Sequence, residues 1–392
     1  MCDCMDFYGI GKEYFEKKDC ANTSSEIAQQ PRLWCELGDM LIEKKDEISA
    51  FMKKIGDISQ FRVVIAGAGS SGFVGDALAA LVAKSAGIRI ESVHTTDIVS
   101  DPKTYLFANV PTILVSIARS GNSPESAGAV KYARSIVNNL FEVAILCDAT
   151  STLYNLTAQS EKSMIILMPD DANDKSFAMT SSVSAMLISG FAFFNASKID
   201  AIVQDIMKLA KNMSNSSIKF TEVATKWAEK DFDRVAYIGS GAFKHIAHEA
   251  SMKIMELTNG IVNGSFESAT GFRHGPKTVI KNKTLTVHMI SGDLFTSKYD
   301  FDLLVEICSE KKQNIVLAIG AGPWGGINCD EAITIPANGY GACADLCMGL
   351  HALVFCQMLS MFKSLALGIG TDNPSPTGEV NRVVKGVTVY DY

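Results

Sequence analysis

Runs of consecutive apolar, largely β-branched residues punctuate this chain: RVVIAG (62–67), TILVSI (112–117), FEVAILC (141–147) and SMIILMP (163–169), then TLTVHMI (284–290), QNIVLAI (313–319) and EAITIP (331–336). Runs of this length without polar alternation predict strands buried on both faces, as in a parallel sheet. Between them lie segments such as FVGDALAALVAKSAG, whose apolar residues recur at helical spacing. Strand, glycine-rich turn and helix in alternation predict an α/β fold: a doubly wound parallel sheet flanked by helices, a three-layer α/β/α sandwich. Before residue 62 the pattern is helical. LWCELGDMLIEKKDEISAFMKKI places apolar residues every three to four positions. Thr23-Ser24-Ser25-Glu26 has the spacing of a capping box, and Pro31 suits an early position in the following helix.

The pattern occurs twice. RVVIAGAGSSG (62–72) returns as RVAYIGSGAFK (234–244), an offset of 234 − 62 = 172 residues. Two copies of one α/β unit is the simplest reading. The polar stretch KNMSNSSIKF (211–220) predicts a linker between them. The expected division is an N-terminal helical segment over 1–44, a first domain over 45–210 and a second over 217–392. The most apolar stretch, LCMGLHALVFCQMLSMF (346–362), contains His351 and Gln357 and predicts a buried core helix, not a membrane span.

Charge and cysteine content narrow the function. The 392 residues are 47% hydrophobic and 20% charged, with a net charge of −7, which argues against a nucleic-acid partner. Residues 1–20 carry Asp, Glu and Lys throughout, so no secretory leader is expected. Ten cysteines without a CxxC pair suit reduced thiols in the cytoplasm. Cys2 and Cys4 have no Cys/His partner at metal-ligand spacing, and His245 and His248 have no third ligand nearby in sequence, so no metal is expected.

Two loops of the first copy carry candidate chemistry. In open α/β sheets, ligands bind beyond the carboxyl ends of the strands. There the chain places Gly67-Ala68-Gly69-Ser70-Ser71-Gly72 and Arg119-Ser120-Gly121-Asn122-Ser123. Each leads into a predicted helix, whose free N–H groups attract an anion; glycines admit close approach and serine hydroxyls add donors. A small dianion such as a phosphate group is the expected ligand, held by Gly69, Ser70, Ser71, Arg119, Ser120, Asn122 and Ser123. The second copy has SGDLFTSK (291–298) at the corresponding loop, which is poorer in hydroxyls and amides. Gly67, Gly69 and Gly72 also spell a dinucleotide GxGxxG, but no acidic residue closes the next strand at the expected distance. Ordinary Gly/Ser-rich turns remain the plain alternative for either loop alone.

Together these features resemble the double-domain sugar isomerase (SIS) family, from about residue 45 to the C-terminus. EASMKIMELT (249–258), GFRHGPK (271–277) and VVKGVTVYDY (383–392) are similar to the catalytic segments of the isomerase part of glucosamine-6-phosphate synthase. EIAQQPRLW, GFRHGPK and DNPSPTGEVNRVVKGVTV are closer to the AgaS family, named both for tagatose-6-phosphate ketose/aldose isomerase and for galactosamine-6-phosphate deaminase/isomerase. The synthase's glutaminase domain has no counterpart, so the ammonia-releasing direction is the natural one. The resemblance implies two tandem SIS domains and roles by position. Ser71, Ser120 and Ser123 fall on phosphate-binding serines. Arg119 stands where the synthase has a neutral residue, and its guanidinium could add a bidentate contact. Glu256 falls on the carboxylate that moves the proton between C1 and C2, and Lys253 on a lysine beside it. His274 falls on the ring-opening histidine and Lys385 on the lysine that meets the sugar carbonyl. It also implies a homo-oligomer, a dimer or tetramer, with the GFRHGP loop of one subunit reaching its neighbour's site. No cofactor is implied.

Each residue also has a plain structural reading. Glu249 and Lys253 are i,i+4 and could be a surface ion pair, with Glu256 on nearly the same face. Lys385 in an extended terminus could decorate an edge strand. His274, between Arg273 and Gly275-Pro276, sits in a turn, where a histidine is more often functional than core. The expected activity is conversion of galactosamine 6-phosphate to tagatose 6-phosphate and ammonia. The alternatives are plain aldose–ketose isomerisation of a hexose 6-phosphate and a non-catalytic sugar-phosphate sensor. A sensor would keep the serine loops without needing Glu256, His274 and Lys385.

Overall fold

The computed structural model describes residues 9–336, 339–341, 343–378, 380–384 and 386–392. Among these residues ten strands form two five-stranded sheets, parallel throughout. The first contains β1 (Arg62–Ala66), β2 (Ile90–Ser92), β3 (Thr112–Ala118), β4 (Leu140–Leu146) and β5 (Ser163–Leu167), in the order β2-β1-β3-β4-β5. The second contains β6 (Arg234–Gly239), β7 (Asn263–Glu267), β8 (Thr284–Ile290), β9 (Ile315–Gly320) and β10 (Glu331–Thr334), in the order β10-β9-β8-β6-β7. Read from the other edge, the second sheet has the order of the first. The 172-residue offset carries β1 onto β6 and β3 onto β8. Gly69 (φ 55°, ψ −131°) and Gly241 (φ 60°, ψ −130°) hold the same left-handed conformation at the start of the helix after each first strand. The repeat is therefore a duplication of topology as well as of letters.

The expected strands form because their side chains are buried on both faces. All seven residues of β3 and of β8 are buried. β2 and β7 were not marked by an apolar run. IES and NGSFE are short edge strands, mostly half-buried, where little apolar content is required.

The chain divides by contacts into two compact units, and the division does not follow chain order. One holds the second sheet and comprises the residues up to Arg32, Lys175–Ala178 and Asp205–Pro376. The other holds the first sheet and comprises Leu33–Asp174, Met179–Gln204 and Thr377–Tyr392. In the first-sheet unit the helix Ser181–Phe194, buried at every position, packs on the helix Ser70–Ala86. Gly190 lets the two approach, since a Cβ there would lie 2.4 Å from a methyl of Leu78. In the other unit the helix Ala344–Ala366 packs on Ala242–Leu257. It is long and apolar enough to cross a membrane, but 94% of its apolar stretch is buried in protein, as the interrupting His351 and Gln357 suggested.

Two local expectations are corrected. Residues 211–220 are not a linker but the middle of one helix, Ile199–Ala228. Its buried face runs through Ile206, Leu209, Met213, Ser217, Phe220 and Val223, and Ser214, Ser217 and Thr221 bond back to carbonyls three or four residues earlier. Thr23 and Glu26 do not form a capping box, because the helix begins at Ala21. Its free N–H groups at Asn22 and Thr23 donate instead to the carboxylate of Asp372, 2.9 and 2.8 Å away. Glu26 accepts from the backbone N–H of Lys175 and Ser176 and from the Ser176 hydroxyl. Pro31 does sit at the second position of the helix Gln30–Glu43.

Candidate functional site

β1 and β3 are neighbours, and the strand order turns between them. Both candidate loops leave their carboxyl ends, the crevice where an open α/β sheet binds ligands. The first loop enters the helix Ser70–Ala86, with Gly69 at its N-cap and Ser70 and Ser71 buried in the first turn. Gly67 must lack a side chain, since a Cβ would come within 2.5 Å of the Ser71 backbone. In the second loop Gly121 has φ +60°, and a Cβ there would lie 2.5 Å from Ser151 Oγ. Leu153 N–H donates to the Gly121 carbonyl (3.0 Å), and Thr152 N–H donates to Asn122 Oδ1 (3.0 Å). Asn122 Nδ2 donates to Asp148 (3.4 Å). The Asn122 amide thus braces the loop on the segment after β4. Ser123 occupies the N-cap of Pro124–Ile136, yet its hydroxyl makes no capping bond.

Arg119, offered as a phosphate contact, reaches a backbone carbonyl with one of its donors. The side chain is buried, with 6% exposed, and Nη2 donates to the carbonyl of Arg382 at 2.7 Å. His94 lies against this loop system, although neither candidate loop contains it. A Cβ on Gly72 would meet the His94 ring at 2.8 Å, and His94 Nε2 is 3.6 Å from Asp76. The hydrogen bond with Asp76 raises the His94 pKa, against burial, which lowers it. No run or motif in the sequence flags this pair.

The second copy explains its own unsuitability for an anion. Its loop ends are already bonded to a carboxylate: Asp300 accepts from Ser240 Oγ at 2.5 Å and from the Ser291 N–H at 3.0 Å. Burial raises the pKa of Asp300, with the two hydrogen bonds opposing. At 300 − 172 = 128 the first copy has Gly128, which carries no side chain.

The remaining candidates belong to the second-sheet unit. The helix Ala242–Leu257 carries Glu249, Lys253 and Glu256 on one face. Lys253 is fully buried, 3.3 Å from Glu249 and in close ion pair with Glu256. Burial alone would lower the Lys253 pKa, but the charges and hydrogen bonds of Glu249 and Glu256 outweigh it, and the net shift is upward. The ammonium is therefore fixed, and Glu256, with 27% of its side chain exposed, is the accessible member of the trio. This is no surface ion pair. His274 follows the short helix Ala269–Phe272 and is exposed; its N–H donates to the Gly271 carbonyl at 2.9 Å. Among the described residues the His274 ring makes no ion pair. Lys385 lies outside the described residues, as do Cys2 and Cys4. Among the described residues, no group of three or more His, Cys, Asp or Glu side chains could hold a metal ion.

These features define a protein of duplicated α/β architecture, and residues 58–196 match the SIS domain family. A D-galactosamine-6-phosphate deaminase AgaS from Shewanella sp. (strain ANA-3) is 36% identical over 373 residues, 94% of this chain and 92% of that protein. A solved structure from Clostridium novyi NT superimposes with a TM-score of 0.93 at 36% identity over the whole of both chains. A tagatose-6-phosphate ketose/aldose isomerase from Escherichia coli superimposes with a TM-score of 0.86 at 30% identity, covering 95% of this chain and 96% of that one. The chain belongs to the AgaS family of SIS-domain proteins.

Proposed function

We propose that this protein converts galactosamine 6-phosphate to tagatose 6-phosphate and ammonia. The observation that carries the reading is Glu256: a partly exposed carboxylate fixed by a fully buried ammonium, in a chain 36% identical to a deaminase of that name. The substrate is mostly a closed ring. A proton must reach the ring oxygen as one leaves the anomeric hydroxyl, and an imidazole such as His274 suits both transfers near neutral pH. Glu256 then takes the proton from C2 of the open aldehyde form. The electrons of that bond move toward the C1 carbonyl, giving an enolamine. The same carboxylate returns the proton to C1, which leaves an imine at C2. Water adds to that carbon and ammonia departs, so the C2 carbonyl of the ketose remains. Lys385 is assigned to the sugar carbonyl, and Ser70, Ser71, Ser120 and Ser123 to the phosphate.

Lys253, in close ion pair with Glu256, holds that carboxylate in place. The exposed His274, unpaired with any described carboxylate of its own chain, suits service in a neighbouring copy's site, and so a homo-oligomer; ten cysteines without a CxxC pair suit the cytoplasm. The same carboxylate would interconvert a 2-hydroxy aldose phosphate and its ketose, so plain isomerisation is the second reading, favoured by the Escherichia coli structure. Turnover of galactosamine 6-phosphate in D2O, followed by proton NMR, tests the step. Deuterium at C1 of the tagatose 6-phosphate formed, absent in Glu256→Gln, is expected. Ammonia release with Glu256→Gln as active as the native protein would refute the role.

A further inference from the structure

The C-terminal segment is tied to the phosphate half at both ends of its last stretch. At the near end Arg382 donates from Nε to the carbonyl of Asp174 at 3.0 Å and from Nη2 to Asn173 Oδ1 at 3.3 Å. Asp174 is no loose partner. It is fully buried and accepts the N–H groups of Thr180, Ser181 and Ser182 at 2.8, 3.1 and 3.0 Å, which caps the core helix Ser181–Phe194. At the far end Val389 packs into the apolar cluster of the first sheet, over Gly128, where a Cβ would clash with it at 2.8 Å. Tyr132 donates its hydroxyl to the Tyr390 carbonyl, and the rings of Tyr132 and Tyr392 lie 5.4 Å apart. Lys385 stands in the sequence between these two anchors.

Arg119 makes the remaining link. It opens the loop that holds Ser120 and Ser123, yet Nη2 donates to the backbone carbonyl of Arg382, which is itself part of the near anchor. A carbonyl accepts a charged guanidinium donor strongly, more so where water is excluded. We propose that Arg119 is a positioning residue: it couples the phosphate loop to the C-terminal segment, in whose sequence Lys385 stands, instead of binding the phosphate itself. Sequence reading could not separate these roles, because an arginine beside serines in an anion loop invites the phosphate contact. The inference rests on the assignment of Lys385 under the proposed function, but its first test does not.

That test is limited trypsin digestion of the full chain, comparing wild type with Arg119→Ala and Arg119→Lys at matched thermal stability. Cleavage after Arg382, whose carbonyl Arg119 holds, is expected to be at least tenfold faster in Arg119→Ala, with cleavage after Arg134 and Arg234 unchanged. Arg119→Lys, which retains one cationic donor, is expected to recover most of the resistance. The second test is a kinetic cycle with Lys385→Ala on galactosamine 6-phosphate. Arg119→Ala is expected to lower kcat tenfold or more with KM changed less than threefold, and to lower kcat less than twofold further in the Lys385→Ala background. Loss of a phosphate ligand would instead raise KM tenfold or more and leave cleavage after Arg382 as in wild type, which overturns the proposal. Additive kcat losses overturn it as well. A wild type that releases no ammonia removes the functional reading and leaves the digestion result to decide whether Arg119 holds the segment.

Discussion

Replacing Lys253 by Met removes the ammonium that lies between Glu249 and Glu256. Glu249 is 2% exposed and 3.3 Å from the ammonium, so its carboxylate would be left in a low-dielectric site without that charge. Breaking a buried pair in this way costs about 3–5 kcal/mol, because the remaining charge keeps its desolvation penalty after its partner is gone. Glu256 contributes less to that cost, since its side chain is 27% exposed and can be hydrated. Replacing both members of the inner pair, in Lys253→Met with Glu249→Leu, exchanges a buried ion pair for apolar volume, which is commonly near neutral. The double variant should therefore lie within about 2 kcal/mol of wild type. Native-state hydrogen exchange at the amides of Ala242–Leu257 reads the stability of that helix directly. Activity should stay low in the double variant despite the recovered stability, because Glu256 has lost its fixed cation. A single variant within about 1 kcal/mol of wild type, or a double variant as unstable as the sum of two singles, would refute the account of Lys253 as a buried counterion.

Further expectations follow from other parts of the site and core. Burial pushes the His288 pKa down to about 3; it pushes His351 down to about 4, with a hydrogen bond to the Cys347 carbonyl opposing. A group depressed in the folded state contributes stability present above its ordinary value of 6.5 and lost as pH falls toward the folded value. Stability should therefore fall by about 2 kcal/mol per histidine between pH 7 and 5, seen as urea midpoints that decline over that range; flat midpoints would contradict it. Gly121→Ala meets both a positive φ and a contact of 2.5 Å with Ser151, whereas Gly69→Ala meets a positive φ in open space. KM for the sugar phosphate should rise more in Gly121→Ala, and thermal stability should fall further. Glu256→Gln keeps an acceptor for Lys253 and should lower kcat about 10²–10⁴-fold with little loss of stability by the same exchange measurement.

Most of the sheet was legible because parallel strands buried on both faces must be written as continuous apolar runs. The duplication was legible because Gly67 and Gly69, with Gly239 and Gly241, are each required by a close approach or a left-handed turn. What escaped notice has a common physical cause: the partner is far away in sequence. The cap of the helix at Ala21 comes from Asp372, 350 residues from Asn22, so the local Thr23-to-Glu26 spacing misled. The stretch 211–220 looked like a linker by composition, but its serines bond to carbonyls of their own helix, whose buried face includes Ser217. The full burial of Lys253 could not be inferred from i,i+4 spacing, which surface pairs share. Arg119 was recognised as part of the phosphate loop, but its bond to Arg382 spans 263 residues. Edge strands β2 and β7 lack the apolar content that reveals central ones.

The central claim is that this chain releases ammonia from an amino sugar phosphate through Glu256. The direct measurement is ammonia release from galactosamine 6-phosphate, with glucosamine 6-phosphate in parallel, by wild type and Glu256→Gln. The account predicts release that favours the galacto sugar and is lost in Glu256→Gln. No release from either sugar, with thermal-shift binding of both still detectable, would contradict it.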